Sequence, residues 1–185
     1  MPVYISMLRG VNIGGHHKIK MEALRALYES LGFQNPQSLI QSGNVVFRTK
    51  ETDSARLSAR ISNAIEEKFG FRPPVLLRTT GELRKVIAAN PFAGRKSLDP
   101  SKLAVSFLGV GPDSETCNKL QAMECAPEEL RVQGSELYIY FPNGMARPKL
   151  SMPKVERIVK TACTARNWNT VQKLLEMALT MESSK

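Results

Sequence analysis

The residue types best suited to chemistry in this chain sit in two short polar segments, Leu8-Arg9-Gly10-Val11-Asn12-Ile13-Gly14-Gly15 and Gln41-Ser42-Gly43-Asn44-Val45-Val46-Phe47. Each sets Gly and Asn against an apolar, strand-like run. Gly and Asn reach backbone conformations closed to most residues and can present open amides to an anion. Arg9, Gly10, Asn12, Gly14 and Gly15, with Lys18 and Lys20 just beyond, therefore read as a nest of amides with cationic flanks that cradles a phosphate or a carboxylate. Ser42, Gly43 and Asn44 supply the second segment. The glycine spacing matches neither GxGxxG nor GxxxxGK[ST], because His16-His17 stand where Lys-Ser/Thr would follow. A purely structural account is open as well: a strand-to-helix connection that needs positive φ at its glycines, and a tight turn over Ser42-Gly43-Asn44.

A third segment, Thr164 to Thr170, has similar character. Arg166 is placed beside the start of a C-terminal helix, where guanidinium and helix N-terminus can share one anion. Asn167 or Asn169 caps that helix, which carries Trp168, Val171, Leu174, Leu175 and Ala178. Ser42 has no GxSxG elbow and no histidine partner beyond His16 and His17, so a nucleophilic role is not expected. Cys117, Cys125 and Cys163 include no CxxC pair, and His16 and His17 are adjacent, so neither a disulfide framework nor a metal site is expected. No catalytic residue and no cofactor can be named from the residues alone.

These segments must be positioned by regular elements. Residues 3–9 read as a strand buried on both faces. Met21, Leu24, Leu27, Tyr28 and Leu31 recur at helical spacing and stop at Gly32. Leu39–Gln41 and Val45–Arg48 flank a hairpin turn; Leu57, Ile61, Ile65 and Phe69 line a second helix ending at Gly70; Val75–Leu77 form a fourth strand. The order βαββαβ is that of a ferredoxin-like sheet. In it strands one and two run one way and strands three and four run back. The loop after strand one, the turn between strands two and three, and the approach to strand four at Arg72 must then meet at one edge. Arg166 to Asn169 is expected near that edge, since one shared site explains two distant polar segments.

Beyond a short helix over Gly81–Asn90, Pro91–Ser97 reads as a linker. The rest gives strand Leu103–Leu108, a helix from Ser114 to Met123, strands Leu130–Val132 and Leu137–Phe141, and helices Val155–Lys160 and Trp168–Met181. The expected class is α+β, with a ferredoxin-like subdomain over residues 1–96 and a smaller mixed unit over 97–185 that ends in helices.

With 185 residues, 42% of them apolar, the chain can bury a sizeable core. The net charge of +9 is uneven: residues 1–95 hold 14 basic and 7 acidic side chains, residues 97–136 hold 3 and 7, and residues 145–173 hold 7 and 1. A basic surface permits RNA or an anionic small molecule as partner, and it also simply solubilises. No membrane span or secretory leader is read at the N-terminus, and a cytoplasmic location is expected.

Several stretches resemble a family of small, mostly bacterial proteins, domain of unknown function 1697: Leu8–Gly15, Lys20-Met21 with Leu24-Arg25, Leu31-Gly32-Phe33, Ile40–Phe47, Asn90-Pro91-Phe92 and Thr164–Lys173. The chain departs from that pattern at His16-His17, where one residue before the Lys is usual, and at Arg147-Pro148-Lys149-Leu150, where a Ser-Lys-Leu-like turn is more typical. The resemblance implies two α+β subdomains with a ferredoxin-like first half and no stated activity. Three functions follow as expectations: binding of a nucleotide, phosphometabolite or RNA at the Gly/Asn-rich edge; a small enzyme acting on a phosphorylated or carboxylated metabolite; or a protein-interaction or structural role, as monomer or homodimer.

Overall fold

The computed structural model describes residues 1–184. They form two units, one of Met1–Arg84 completed by the segment that begins at Lys173, the other of Lys85–Gln172. In the first, β1 (Val3–Leu8), α1 (Met21–Ser30), β2 (Gln34–Leu39), β3 (Asn44–Arg48), α2 (Ser54–Phe69) and β4 (Val75–Thr79) make an antiparallel sheet in the order β2-β3-β1-β4. This is the ferredoxin-like arrangement. Every residue of β1 is buried, which explains why its sequence shows no alternation. On one face Tyr4, Leu8, Phe47 and Leu77 pack with Leu24, Tyr28, Leu57 and Ile61 of the two helices. Ser6 is a polar exception on this face: its hydroxyl lies 2.8 Å from the Tyr28 hydroxyl and donates to Val45 O, and burial raises the Tyr28 pKa. Helix α2 is closed at both ends, by the Asp53 carboxylate accepting from Ala55 and Arg56 N–H and by Gly70 in the left-handed region.

After α3 (Thr80–Ala88), the second unit continues with β5 (Leu103–Leu108), α4 (Ser114–Gln121), β6 (Glu129–Gln133), β7 (Glu136–Tyr140), α5 (Met152–Val159) and β8 (Cys163–Asn167), and α6 (Trp168–Ser183) follows. Its sheet order is β6-β7-β5-β8, which repeats the order of the first sheet strand for strand. The second half is thus the mixed α+β unit that its sequence pattern predicts, with the finer order βαββαβ. The strand missing from that expectation is β8. Cys163-Thr164-Ala165-Arg166-Asn167 carries little β-branched or aromatic character, yet it pairs antiparallel with Ala104–Leu108. Tertiary pairing overrides its weak local preference.

The division of the chain also differs from a cut after residue 96. Helix α6 starts in the second unit and its C-terminal part belongs to the first, where the Arg48 guanidinium donates to the carbonyls of Met181 and Ser184. Such bonds satisfy carbonyls that a helix end leaves without intrahelical partners.

The segment that reads as a linker is anchored within its unit. Arg95 makes a bidentate pair with Glu129, 2.7 and 3.0 Å, and its guanidinium lies over the rings of Phe92 and Tyr140. The Arg95 hydrogen bonds hold the Glu129 carboxyl below the usual carboxylate range. A carboxyl whose folded pKa is depressed contributes stability that is complete above its unfolded value and is lost as pH falls through the folded one. The stability difference between the native chain and Glu129→Gln is therefore expected to shrink as pH drops below about 4.3, read from urea midpoints across an acid series. A difference that stays constant through this range would show the pair to be energetically idle.

Candidate anion-binding site

The ends of β1, β2, β3 and β4 that the topology brings together are joined by backbone hydrogen bonds. Leu8 N–H donates to Gly43 O at 3.0 Å and Arg9 N–H donates to Pro74 O at 3.0 Å, while Met7 pairs with Asn44 across the β1/β3 ladder. Arg9, the Ser42-Gly43-Asn44 turn and Arg72-Pro73-Pro74 thus stand at one end of the sheet despite lying up to 65 residues apart in sequence. The second unit closes its equivalent end by the same pair of bonds, Leu108 N–H to Ser135 O at 2.9 Å and Gly109 N–H to Ala162 O at 2.8 Å.

Between β1 and α1 the loop is braced by one side chain. The Asn12 amide donates to Ile19 O (2.9 Å) and Gln41 O (2.7 Å), and its oxygen accepts from Ile19 N–H (2.8 Å). Asn12 sits at φ +57, a region asparagine tolerates. It ties the loop to itself and to the β2–β3 turn. Asn44 plays a similar local part: it is buried, and its amide donates to Leu39 O and to the Ser42 hydroxyl. These two asparagines, chosen on sequence as ligand contacts, spend their amides on the protein backbone and on the turn.

The braced loop divides the end of the sheet into two hollows. One, of about 420 Å³, is lined by Arg9, Gly10, His17, Phe71, Arg72, Pro73 and Pro74. The other, of about 570 Å³, is lined by Asn12, Gly15, Lys18, Ile19, Lys20 and Gln41. Arg9 and Gly10 therefore face one space, and Asn12, Gly15 and Lys18 another. Gly14 lies in the exposed tip between Ile13 and Gly15.

In the first hollow, the His17 imidazole stacks on Phe71 with ring centroids 4.2 Å apart and planes 10° apart. Its Nδ1 lies 3.2 Å from Gly10 O; a carbonyl only accepts, so Nδ1 carries the proton and Nε2 is left for other partners. The Arg72 side chain is 57% exposed and meets Glu66 only at 3.8 Å. Residue type gives no signal for Phe71, and His17 stands out in the sequence only with His16, through the extra residue that the pair adds to the family pattern.

The C-terminal segment is a different matter. Arg166 does lie just ahead of α6, but inside β8 opposite Val105, and it is buried with its guanidinium donating to Thr164 Oγ1 (2.7 Å) and Ala165 O (2.8 Å). Burial pushes its pKa down to about 10. Asn167 donates to Ser101 O at 2.7 Å and accepts from Asn169 N–H at 3.0 Å, so it is the residue that caps α6, while Asn169 lies exposed in the first turn of that helix. Arg9, Asn12 and Asn44 belong to the first unit and Arg166, Asn167 and Asn169 to the second. In the second unit's equivalent hollow, of about 550 Å³, Asp113 and Glu115 stand with Lys119 and Lys160, and the Asp113 carboxylate is engaged in capping α4 through Thr116 N–H.

Fold and site together define a protein of two tandem βαββαβ units, one bearing a cationic hollow at the loop end of its sheet. The chain belongs to the family described as protein of unknown function (DUF1697), whose model matches residues 1–138. Its fold is similar to that of the conserved bacterial protein SP0830 from Streptococcus pneumoniae, at 21% identity and a TM-score of 0.72, over 97% of this chain and 99% of that one. No curated protein matches the chain in sequence. Among the described residues no helix is long and apolar enough to cross a membrane.

Proposed function

We propose that the protein binds a phosphate-bearing or carboxylate-bearing ligand in the hollow between the β1–α1 loop and Phe71–Pro74. The observation that carries this reading is the convergence of Arg9, Arg72 and His17, from segments separated by more than fifty residues, around one space of about 420 Å³. That size suits a small molecule. Guanidinium forks match the planar oxygens of carboxylate and phosphate, and charge-assisted hydrogen bonds are about twice as strong as neutral ones. The Arg72–Glu66 pair, long and exposed, opposes an incoming anion only weakly.

Titration with inorganic phosphate and pyrophosphate at constant ionic strength, followed by thermal shift, tests the reading, because a ligand of the folded state raises the melting temperature. Arg72→Ala is expected to weaken binding by about tenfold, the loss of one charge-assisted pair, while changing stability by less than about 0.5 kcal/mol. Glu66→Gln is expected to tighten it by about two- to threefold by removing the competing carboxylate. Absence of any shift with either anion, or a shift untouched by Arg72→Ala, would overturn the reading.

A further inference from the structure

Resting on the anion-binding reading, we propose that this hollow is built for a phosphate ester of a planar aromatic ring, such as a nucleoside monophosphate, with the ring stacked on His17. Phe71 packs against the first unit's core on one side, and the His17 imidazole covers it on the other, nearly parallel at 4.2 Å. The stack ends at His17. That residue is exposed and lines the hollow, so its imidazole is the ring on which an occupant of the hollow can extend the pile. The ring cannot spin freely, since Nδ1 is tied to Gly10 O at 3.2 Å.

Two further features favour a platform over an incidental contact. His17 is held at φ +50, and its own carbonyl accepts from Asn12 N–H at 3.2 Å, so the braced loop maintains a backbone conformation that residues other than Gly adopt only when their surroundings impose it. The rest of the wall, Pro73 and Pro74, is apolar, while the charge is confined to Arg9 and Arg72. Apolar and aromatic lining beside two guanidinium groups matches a ring joined to a phosphate and offers little to the hydroxyls of a sugar phosphate. The second unit provides an internal contrast: its equivalent hollow has no aromatic lining and mixes carboxylates with ammonium groups.

The experiment compares dissociation constants for four probes by calorimetry: inorganic phosphate, glycerol 3-phosphate, phenyl phosphate and AMP. Phenyl phosphate and AMP are expected to bind about tenfold more tightly than glycerol 3-phosphate, the usual scale of one stacking contact. His17→Asn retains a residue that tolerates positive φ but removes the ring, and is expected to bring the preference of aryl phosphates over glycerol 3-phosphate within about twofold. His17→Phe should restore it, which a role limited to hydrogen bonding or loop shape would not. AMP tighter than phenyl phosphate identifies a nucleobase as the preferred ring, and equal binding identifies any aryl phosphate. If all four probes bind alike, or His17→Asn leaves the preference intact, the stacking inference is overturned and anion binding survives. If none binds, both fall together.

Discussion

Replacing Gly43 with alanine is expected to destabilise the first unit by about 3 kcal/mol, the sum of a left-handed backbone penalty and overpacking of a close contact. Gly43 lies at φ +72, and a Cβ built there meets Leu8 Cβ at 2.8 Å, with two further Leu8 carbons at 3.2 Å. Leu8 is buried and fixed in the sheet, and its N–H donates to the Gly43 carbonyl, so neither partner can retreat without breaking the bond that closes the end of β1 on the turn. Gly14→Ala is the matched control. It has a similar φ of +59 but its nearest neighbour is His16 Cδ2 at 4.0 Å, so only the backbone cost of about 1 kcal/mol is expected. Urea unfolding of both variants separates the two contributions. Equal losses would mean that the Leu8 contact is not tight.

The second large effect is expected at Asn12. Its side chain makes three hydrogen bonds to backbone groups, two of them on Ile19, which is buried. Removing it strands the N–H and carbonyl of buried Ile19, while the exposed Gln41 carbonyl turns to water, and a buried polar group left without a partner costs about 1–3 kcal/mol. Asn12→Ala should therefore lose about 2–3 kcal/mol, of which about 1 kcal/mol reflects alanine at φ +57. Asn12→Gly removes the backbone cost and isolates the hydrogen bonds. Both variants free the β1–α1 loop from Gln41, so anion affinity should fall with stability even though the Asn12 side chain lines the other hollow. A variant that loses stability and keeps full affinity would show that the cationic hollow does not depend on the brace.

For the first unit, the sequence by itself determined both the fold and the meeting of its loops. Helical spacing in Met21–Leu31 and Leu57–Phe69, stops at Gly32 and Gly70, and apolar strands at residues 3–9 and 75–77 are local signals, each readable over a few residues. Once their order is βαββαβ, chain direction alone obliges Arg9, Ser42–Asn44 and Arg72 to share one end of the sheet. The strand boundaries were less legible: β2 starts at Gln34, ahead of its apolar end at Leu39, because an edge strand with Asn35, Pro36 and Gln37 carries no hydrophobic alternation.

What only the tertiary structure decided concerns side chains and long-range pairing. Polar residue types do not say whether an amide is spent internally, so Asn12 and Asn44 read as ligand contacts until their hydrogen bonds are seen. Likewise Arg166 reads as an anion-binding cation beside a helix start, yet its place opposite Val105 in β8 buries it. Residues 163–167 acquire strand structure from β5, a partner some sixty residues away, and the repetition of the first sheet's order in the second half became visible only with that strand. The His17–Phe71 stack is of the same kind. Contacts between side chains from distant segments depend on the folded backbone that carries both, and no window of sequence contains them.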